Sequence, residues 1–333
     1  MKHLVRPLRF LLRLLLPTLA AAAAGLAAES YNIAVIPMGT THDYWKGVQA
    51  GTVKAQRELA AAGVKVNVLW KGPLKEDDRE QQVQVVENFI GRRVHAIVIS
   101  PVDHNALVAP LATAVRGRIP VILIDSGLNS DLPVSYIGTD NREGGREAAR
   151  TLAGLVGPQG RVIMLRYSTG SAATEEREEG FLEVMRRDFP GIRLVSTDQH
   201  GGVTRDTAYR TAQNLLNRHG REIDGVFTCN QPTTAGMLLA LRDAGLAGGK
   251  VKFVGFDTGA ELVGGLRAGD ISGLLVQDPL RMGYLGVRYA VAVLRGESVE
   301  KFVDTGVTVA TRENLSDPAV HALVHPPIDE YLP

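Results

Sequence analysis

Short β-branched apolar runs recur roughly every thirty residues along this chain, at 32–37, 64–70, 96–100, 121–125, 161–165, 193–197, 225–228, 252–256 and 272–276. A polar turn follows each, and in most cases a stretch with apolar positions at helical spacing comes next. Those stretches cover 44–62, 77–91, 105–116, 142–156, 175–189, 204–218, 231–244 and 279–294. Strands alternating with amphipathic helices predict parallel βαβ units. Nine strand-like runs are too many for one small sheet, so two sheets are expected. Several helix ends are readable. Asp140 followed by Glu143 resembles a capping box, Gly63 and Gly245 fall where a left-handed residue ends a helix, and Pro279 suits a first helical turn.

A length of 333 residues sets a prior of two domains at about 150 residues each. Apolar residues make up 45% and charged residues 22%, so large cores can form. The formal net charge of +1 lacks the basic excess of a nucleic-acid binder. No Ser/Gly linker divides the chain, so any domain boundary falls inside the βα series. The segments 135–140, 277–278 and 304–306 are the candidates, and three crossings between two lobes would form a hinge. The expected division is 30–138 plus 278–304 for one lobe and 139–277 plus 305–333 for the other.

The amino terminus carries a different signal. Lys2, His3, Arg6 and Arg9 precede an apolar stretch, 10–26, broken by Arg13, Pro17 and Thr18. Gly25-Leu26-Ala27 fits a small-x-small cleavage rule, so residues 1–28 are expected to be a cleaved export signal. No cysteine follows that could carry a lipid, and no later segment reaches the ~20 apolar residues of a membrane span. The mature chain is therefore expected to be soluble and exported, without membrane insertion. A DNA-binding repressor is excluded in practice, because the signal stands where a helix-turn-helix headpiece would be.

Catalytic and metal motifs are sparse. Cys229 is the single cysteine and ends an apolar run, where a thiol packs as a small hydrophobe. His321 and His325 have i, i+4 spacing, but prolines 326 and 327 follow and no third ligand is evident, so a surface pair is expected rather than a metal site. Gly144-Gly145 lacks the surroundings of a phosphate loop. No GxSxG elbow, HExxH or cysteine–histidine pair is found, so no catalytic residue and no cofactor are assigned.

Candidate binding chemistry lies just beyond the strands. In open α/β sheets ligands bind outside the carboxyl ends of the strands. Asp125, Asn230, Asp257 and Gln277 each lie one or two residues past an apolar run. Facing lobes would bring them to opposite walls of one cleft, where carboxylates and amides can bond hydroxyls. For Asp125 and Asp257 a helix N-cap role competes with this reading, and for Trp45 a core position does.

Ordered blocks across 32–309 resemble a known family. They are Tyr44-Trp45-Lys46-Gly47-Val48, Ile119-Pro120-Val121-Ile122-Leu123-Ile124-Asp125, Thr139-Asp140-Asn141, Arg177-Glu178-Glu179-Gly180-Phe181, Val226-Phe227-Thr228-Cys229-Asn230, Val254-Gly255-Phe256-Asp257 and Gln277-Asp278-Pro279. Together the chain resembles the type I periplasmic binding proteins for sugars, the ribose- and galactose-binding group of ABC transporters. That resemblance implies an α/β fold of two doubly wound parallel-sheet lobes joined by a three-segment hinge. It implies a monomer that closes on a carbohydrate-like ligand and delivers it to an ABC permease. Its site residues would include Asp125, Arg177, Asn230, Asp257 and Gln277, with Arg177 either touching ligand or supporting the residues that do. His42, Tyr44 and Trp45 fall in the first loop, where sugar binders use a polar residue and two aromatics. His200 falls near a position that is often aromatic.

Departures from the family pattern bear on the ligand. Ser126 replaces a common arginine, Glu175 stands where ribose-type binders have a ligand-contacting arginine, and Gln231-Pro232 replaces an acidic pair. Less positive charge disfavours anions. A neutral hexose, polyol or cyclitol, or a weakly cationic ligand, fits better. Two other roles share the scaffold: a sensor reporting to a membrane kinase or chemoreceptor, and a secreted enzyme. The tail, 312–333, is expected as a strap along one lobe.

Overall fold

The computed structural model describes residues 30–332. The export signal expected over 1–28 lies outside the described residues. The first part of the chain forms β1 (Ser30–Ile36), α1 (Asp43–Ala61), β2 (Lys65–Trp70), α2 (Arg79–Gly91), β3 (Ala96–Ile99), α3 (Val108–Arg116), β4 (Val121–Ile124) and β5 (Ser135–Gly138). The second forms α4 (Asn141–Val156), β6 (Arg161–Arg166), α5 (Ala172–Asp188), β7 (Arg193–His200), α6 (Arg205–His219), β8 (Gly225–Thr228), α7 (Gln231–Asp243), β9 (Lys252–Phe256), α8 (Ala260–Ala268) and β10 (Gly273–Val276). The chain then makes α9 (Pro279–Leu294), β11 (Phe302–Asp304), β12 (Thr308–Ala310), α10 (Pro318–Val324) and α11 (Ile328–Tyr331).

Two six-stranded sheets result, ordered β11-β5-β4-β3-β1-β2 and β12-β10-β9-β8-β6-β7. All pairings are parallel except β10 with β12. The expected two-lobed, doubly wound fold is the one found. A parallel sheet covered on both faces needs apolar residues on both, which is why its strands read as unbroken runs. In β6, Val162 and Met164 face the cluster under α4 and α5, while Ile163 and Leu165 face the cluster under α6, α7 and α8. The first sheet is buried in the same way, with Val48 and Leu59 of α1, Val86 and Phe89 of α2, and Val287 and Val291 of α9 against Ile33–Ile36.

Helix ends follow local chemistry. Asp140 caps α4 by accepting from the Glu143 amide at 3.0 Å, but the box is one-sided, because Glu143 is drawn to Arg146 and Arg150. Gly63 and Gly245 adopt positive φ after their helices, and Pro279 opens α9. Gly144-Gly145 finds its purpose in packing. A Cβ on Gly145 would overlap the Arg177 carbonyl of α5, so glycine lets α4 and α5 touch backbone to backbone. That approach holds Arg177 at the junction of the lobes.

The chain passes between sheets after β5, after β10 and after β11. The three crossings bond one another: Thr139 Oγ1 donates to Gln277 Oε1 at 3.0 Å and to the Gly306 carbonyl at 3.1 Å, and Thr305 N donates to the Gly138 carbonyl at 2.9 Å. A bundle this narrow concentrates bending in a few residues, as hinge closure requires. The tail departs from expectation. Val320 and Val324 of α10 pack into the second lobe, as a strap along one lobe would, but α11 lies against α1 of the first. Arg57 of α1 donates to the Glu330 carbonyl at 2.8 Å and covers the Tyr331 ring. The tail thus spans both lobes.

Candidate functional site

Asp125 and Asp257 occupy equivalent corners of the two sheets. Each continues its strand by one rung, with Asp125 N donating to Ile137 O at 2.9 Å and Asp257 N to Leu275 O at 2.8 Å. Each then turns into the left-handed region, at φ 62° and 71°. Such a conformation is uncommon outside glycine, although aspartate tolerates it better than most, and it clusters at functional sites. Neither residue is an N-cap: α8 is capped by Gly259, and no helix follows Asp125 before α4. The capping alternative is set aside for both. Asn230 does cap, accepting at Oδ1 from the Thr233 amide at 3.4 Å at the start of α7.

Around these corners a buried polar network ties site to hinge. Asp125 accepts from the Tyr44 hydroxyl at 2.7 Å and the Ser100 hydroxyl at 2.8 Å. Asp257 accepts from Gln277 Nε2 at 2.7 Å and the Gln231 amide at 2.8 Å. Arg177 donates to Asn141 Oδ1 at 2.8 Å, Cys229 O at 3.0 Å and Gln277 Oε1 at 2.8 Å, with its guanidinium 4.4 Å from the Phe256 ring centroid. Burial raises the Asp125 and Asp257 carboxyls above the usual carboxylate range, and Arg177 opposes the rise in both. Loss of hydration penalises an ion more than its neutral form, so burial dominates.

The mouth is closed by contacts between lobes. Trp45 Nε1 donates to Glu76 Oε1 at 2.5 Å, and the Tyr167 hydroxyl of the second lobe donates to the other Glu76 oxygen. Burial raises the Glu76 carboxyl as well, against the pull of His42. His42 Nε2 lies 3.1 Å from the Val203 carbonyl across the gap. Arg79 donates to Thr169 O at 2.8 Å, and His104 N donates to Gly170 O at 2.9 Å. Trp45 belongs both to the first lobe's core and to the crevice wall, so its two readings were complementary.

The resulting crevice is lined by His42, Tyr44, Trp45, Asp125, Arg177, Asn230, Asp257 and Gln277, eight of the ten residues proposed from sequence. With the lobes in contact the free space it leaves is small, about 40 Å³. Glu175 is not on its wall. Its carboxylate accepts from Gly170 N at 2.7 Å and faces His104 at 3.6 Å. Helix α5 turns about 100° per residue, so Thr174 and Arg177 share the crevice face and Glu175 is rotated away. His200 is also displaced. Strand β7 is an edge strand extending to His200, which sits on an exposed groove with Asp198 and Thr211. Val203 reaches the mouth instead.

Met38, Glu76, Tyr167, Ser171, Ala173, Thr174, Gln231 and Pro232 complete the lining and were not proposed from sequence. Tyr167 follows β6 directly, so the strand-end rule could have found it. Glu76 sits mid-loop between β2 and α2 and carried no such signal. Cys229 is buried, with its thiol pushed well above the ordinary range by burial and Glu178, as a packing role requires. The His321 and His325 rings lie 4.8 Å apart, tilted by 54°, and His325 Nε2 lies 3.0 Å from Arg267. Among the described residues, no group of three or more metal-ligating side chains converges, and no helix is long and apolar enough to cross a membrane.

Two parallel α/β lobes, three bonded crossings and a polar crevice rimmed by aromatics at the strand ends define a two-lobed solute-binding protein. The chain belongs to the periplasmic binding protein domain family, whose model matches residues 33–298, and within it to the type I sugar binders of ABC transporters. The ribose import binding protein RbsB of Salmonella typhimurium is 31% identical over 86% of this chain and 94% of its own length. A carbohydrate transporter solute-binding protein from Agrobacterium radiobacter, solved with D-arabinose, is 38% identical at a TM-score of 0.84, covering 90% of this chain and all of that one. One from Agrobacterium vitis with D-fucose bound is 31% identical at 0.84, covering 88% of this chain and all of that one.

Proposed function

We propose that the protein captures a carbohydrate-like ligand (sugar, polyol or cyclitol) between its lobes in the periplasm and hands it to an ABC import permease. The observation carrying this reading is the convergence of eight side chains from both lobes and the hinge on one crevice at the strand ends. Tyr44 and Trp45, edge-to-face at 5.2 Å, offer ring surface to the C–H face of a sugar ring. Asp125, Asp257 and Asn230 offer polar groups to its hydroxyls. A hydrogen bond to a charged group contributes about 1.5–3 kcal/mol, so a few suffice to hold the closed form.

In this account residues 30–138 with 278–304 move as one body, and 139–277 with 305 onward as the other, the tail end at α11 excepted. Ligand bridging the lobes adds free energy only to the closed state and so shifts the population toward it. The closed surface is what the permease would read. The protein acts as a monomer after export, and no bond of the ligand is made or broken. Relatives that are transport components rather than enzymes support this. Isothermal titration against a panel of neutral sugars and polyols, with anionic sugar acids alongside, tests it. Binding within the neutral set is expected; binding confined to sugar acids refutes the reading.

A further inference from the structure

The crevice is rich in acceptors and in negative charge. Asp125 and Asp257 are 6% exposed and Glu76 is 9%, while Arg177, the one buried cation on the wall among the described residues, is 2% exposed. Arg177 bonds an amide oxygen of Asn141, a carbonyl and Gln277, not a carboxylate. Glu178, behind the wall, is matched by Arg166 at 2.7 Å. His42 lies 3.8 Å from Glu76 and counts as a cation only when protonated. Granting it a proton, three wall carboxylates still face two cations.

Several donors along the wall are already committed. The Tyr44 hydroxyl points to Asp125, and Trp45 Nε1 and the Tyr167 hydroxyl point to Glu76. Gln277 Nε2 points to Asp257. Two polar atoms are left over: the Ser171 hydroxyl, which can donate or accept, and Gln231 Oε1, which only accepts; both line the crevice, are buried, and have no hydrogen-bond partner. Ser171 is 3% exposed. Buried polar atoms without partners are rare and call for an explanation, an absent ligand among the candidates. A ligand that brings donors and positive charge would satisfy Gln231 Oε1 and offset the surplus of carboxylates.

We infer that the crevice accepts an amino-substituted sugar or polyol, in which an ammonium group replaces one hydroxyl and is seated among Asp125, Asp257 and Glu76. An ammonium supplies three donors and no acceptor. It offsets the surplus negative charge in a site from which water is largely excluded. This rests on the reading of the crevice as a carbohydrate site.

Matched pairs separate the two ideas: glucose with glucosamine, galactose with galactosamine, and an inositol with its aminodeoxy counterpart, plus the N-acetyl form of each amine. Titration calorimetry at pH 7 and low salt is expected to show one amine binding about tenfold or more tighter than its hydroxyl partner. N-acetylation should abolish the gain, and Glu76→Gln should shrink the amine-to-hydroxyl ratio. Hydroxyl members binding as tightly as or tighter than their amines in every pair would overturn the inference and leave the carbohydrate reading standing. Absence of binding by every member of every pair would overturn both.

Discussion

Replacing Arg177 with methionine removes a cation while keeping an unbranched stem to fill the same channel. Three charged hydrogen bonds are lost, to Asn141 Oδ1, Cys229 O and Gln277 Oε1. Gln277 Oε1 keeps its bond from Thr139, but the other two acceptors lose this partner in a buried setting. Each stranded buried acceptor costs about 1–3 kcal/mol, and breaking a buried charged network by removing one member costs about 3–5 kcal/mol. A stability loss of about 3–5 kcal/mol is therefore expected, together with poorer alignment of Gln277 beneath Asp257. Losing a cation that opposes their rise also pushes the Asp125 and Asp257 carboxyls further up. Urea unfolding of the unliganded protein measures the first effect and calorimetry the second, where Kd should rise about tenfold or more. Arg177→Lys keeps charge without the planar fork and should fall between the two. A stability loss under about 1 kcal/mol with Kd unchanged would refute the claim that Arg177 joins site to hinge.

Asp125→Asn keeps a residue that tolerates positive φ but removes a buried charge. Because burial raises the folded Asp125 carboxyl above its unfolded value, ionisation there costs stability as pH rises through that interval. The variant should be more stable than the parent at pH 7, with the advantage fading below about pH 4, while ligand affinity falls; urea titrations at both pH values check this. Gly145→Ala drives a methyl group into the Arg177 carbonyl and should lower both stability, by about 1–3 kcal/mol, and affinity, read by the same assays. Glu175→Gln and His200→Ala lie off the crevice wall, and calorimetry should find each within about twofold of the parent, well under the ~1.4 kcal/mol that a tenfold change represents.

Much of the fold was readable because its strands are buried on both faces, leaving continuous apolar runs bounded by turn residues. What escaped has local causes. Helix α8 contains Gly264-Gly265, which breaks the apolar periodicity. Strands β11 and β12 are three residues each, too short to carry an alternating pattern. At the site, the strand-end rule led to Asp125, Asp257, Asn230 and Gln277 because parallel sheets place their carboxyl ends at one edge. It could not reach Glu76, which a long loop delivers to the same edge. Glu175 was one helical position from the wall residue Thr174, an offset that spacing alone does not resolve. His200 was misplaced because β7 runs on as an edge strand past the expected turn at 197. The tail's passage from α10 to α11 depends on the Arg57 contact, which has no signature in linear order.

A crystal structure of the protein grown with its tightest-binding sugar or polyol tests the central claim most directly. The account predicts the ring seated in the crevice beside Tyr44 and Trp45, its polar groups bonded to Asp125 of one lobe and Asp257 of the other, with Ser171 Oγ and Gln231 Oε1 gaining partners. Ligand found on the outer surface of either lobe, with the crevice still shut and empty, would contradict it.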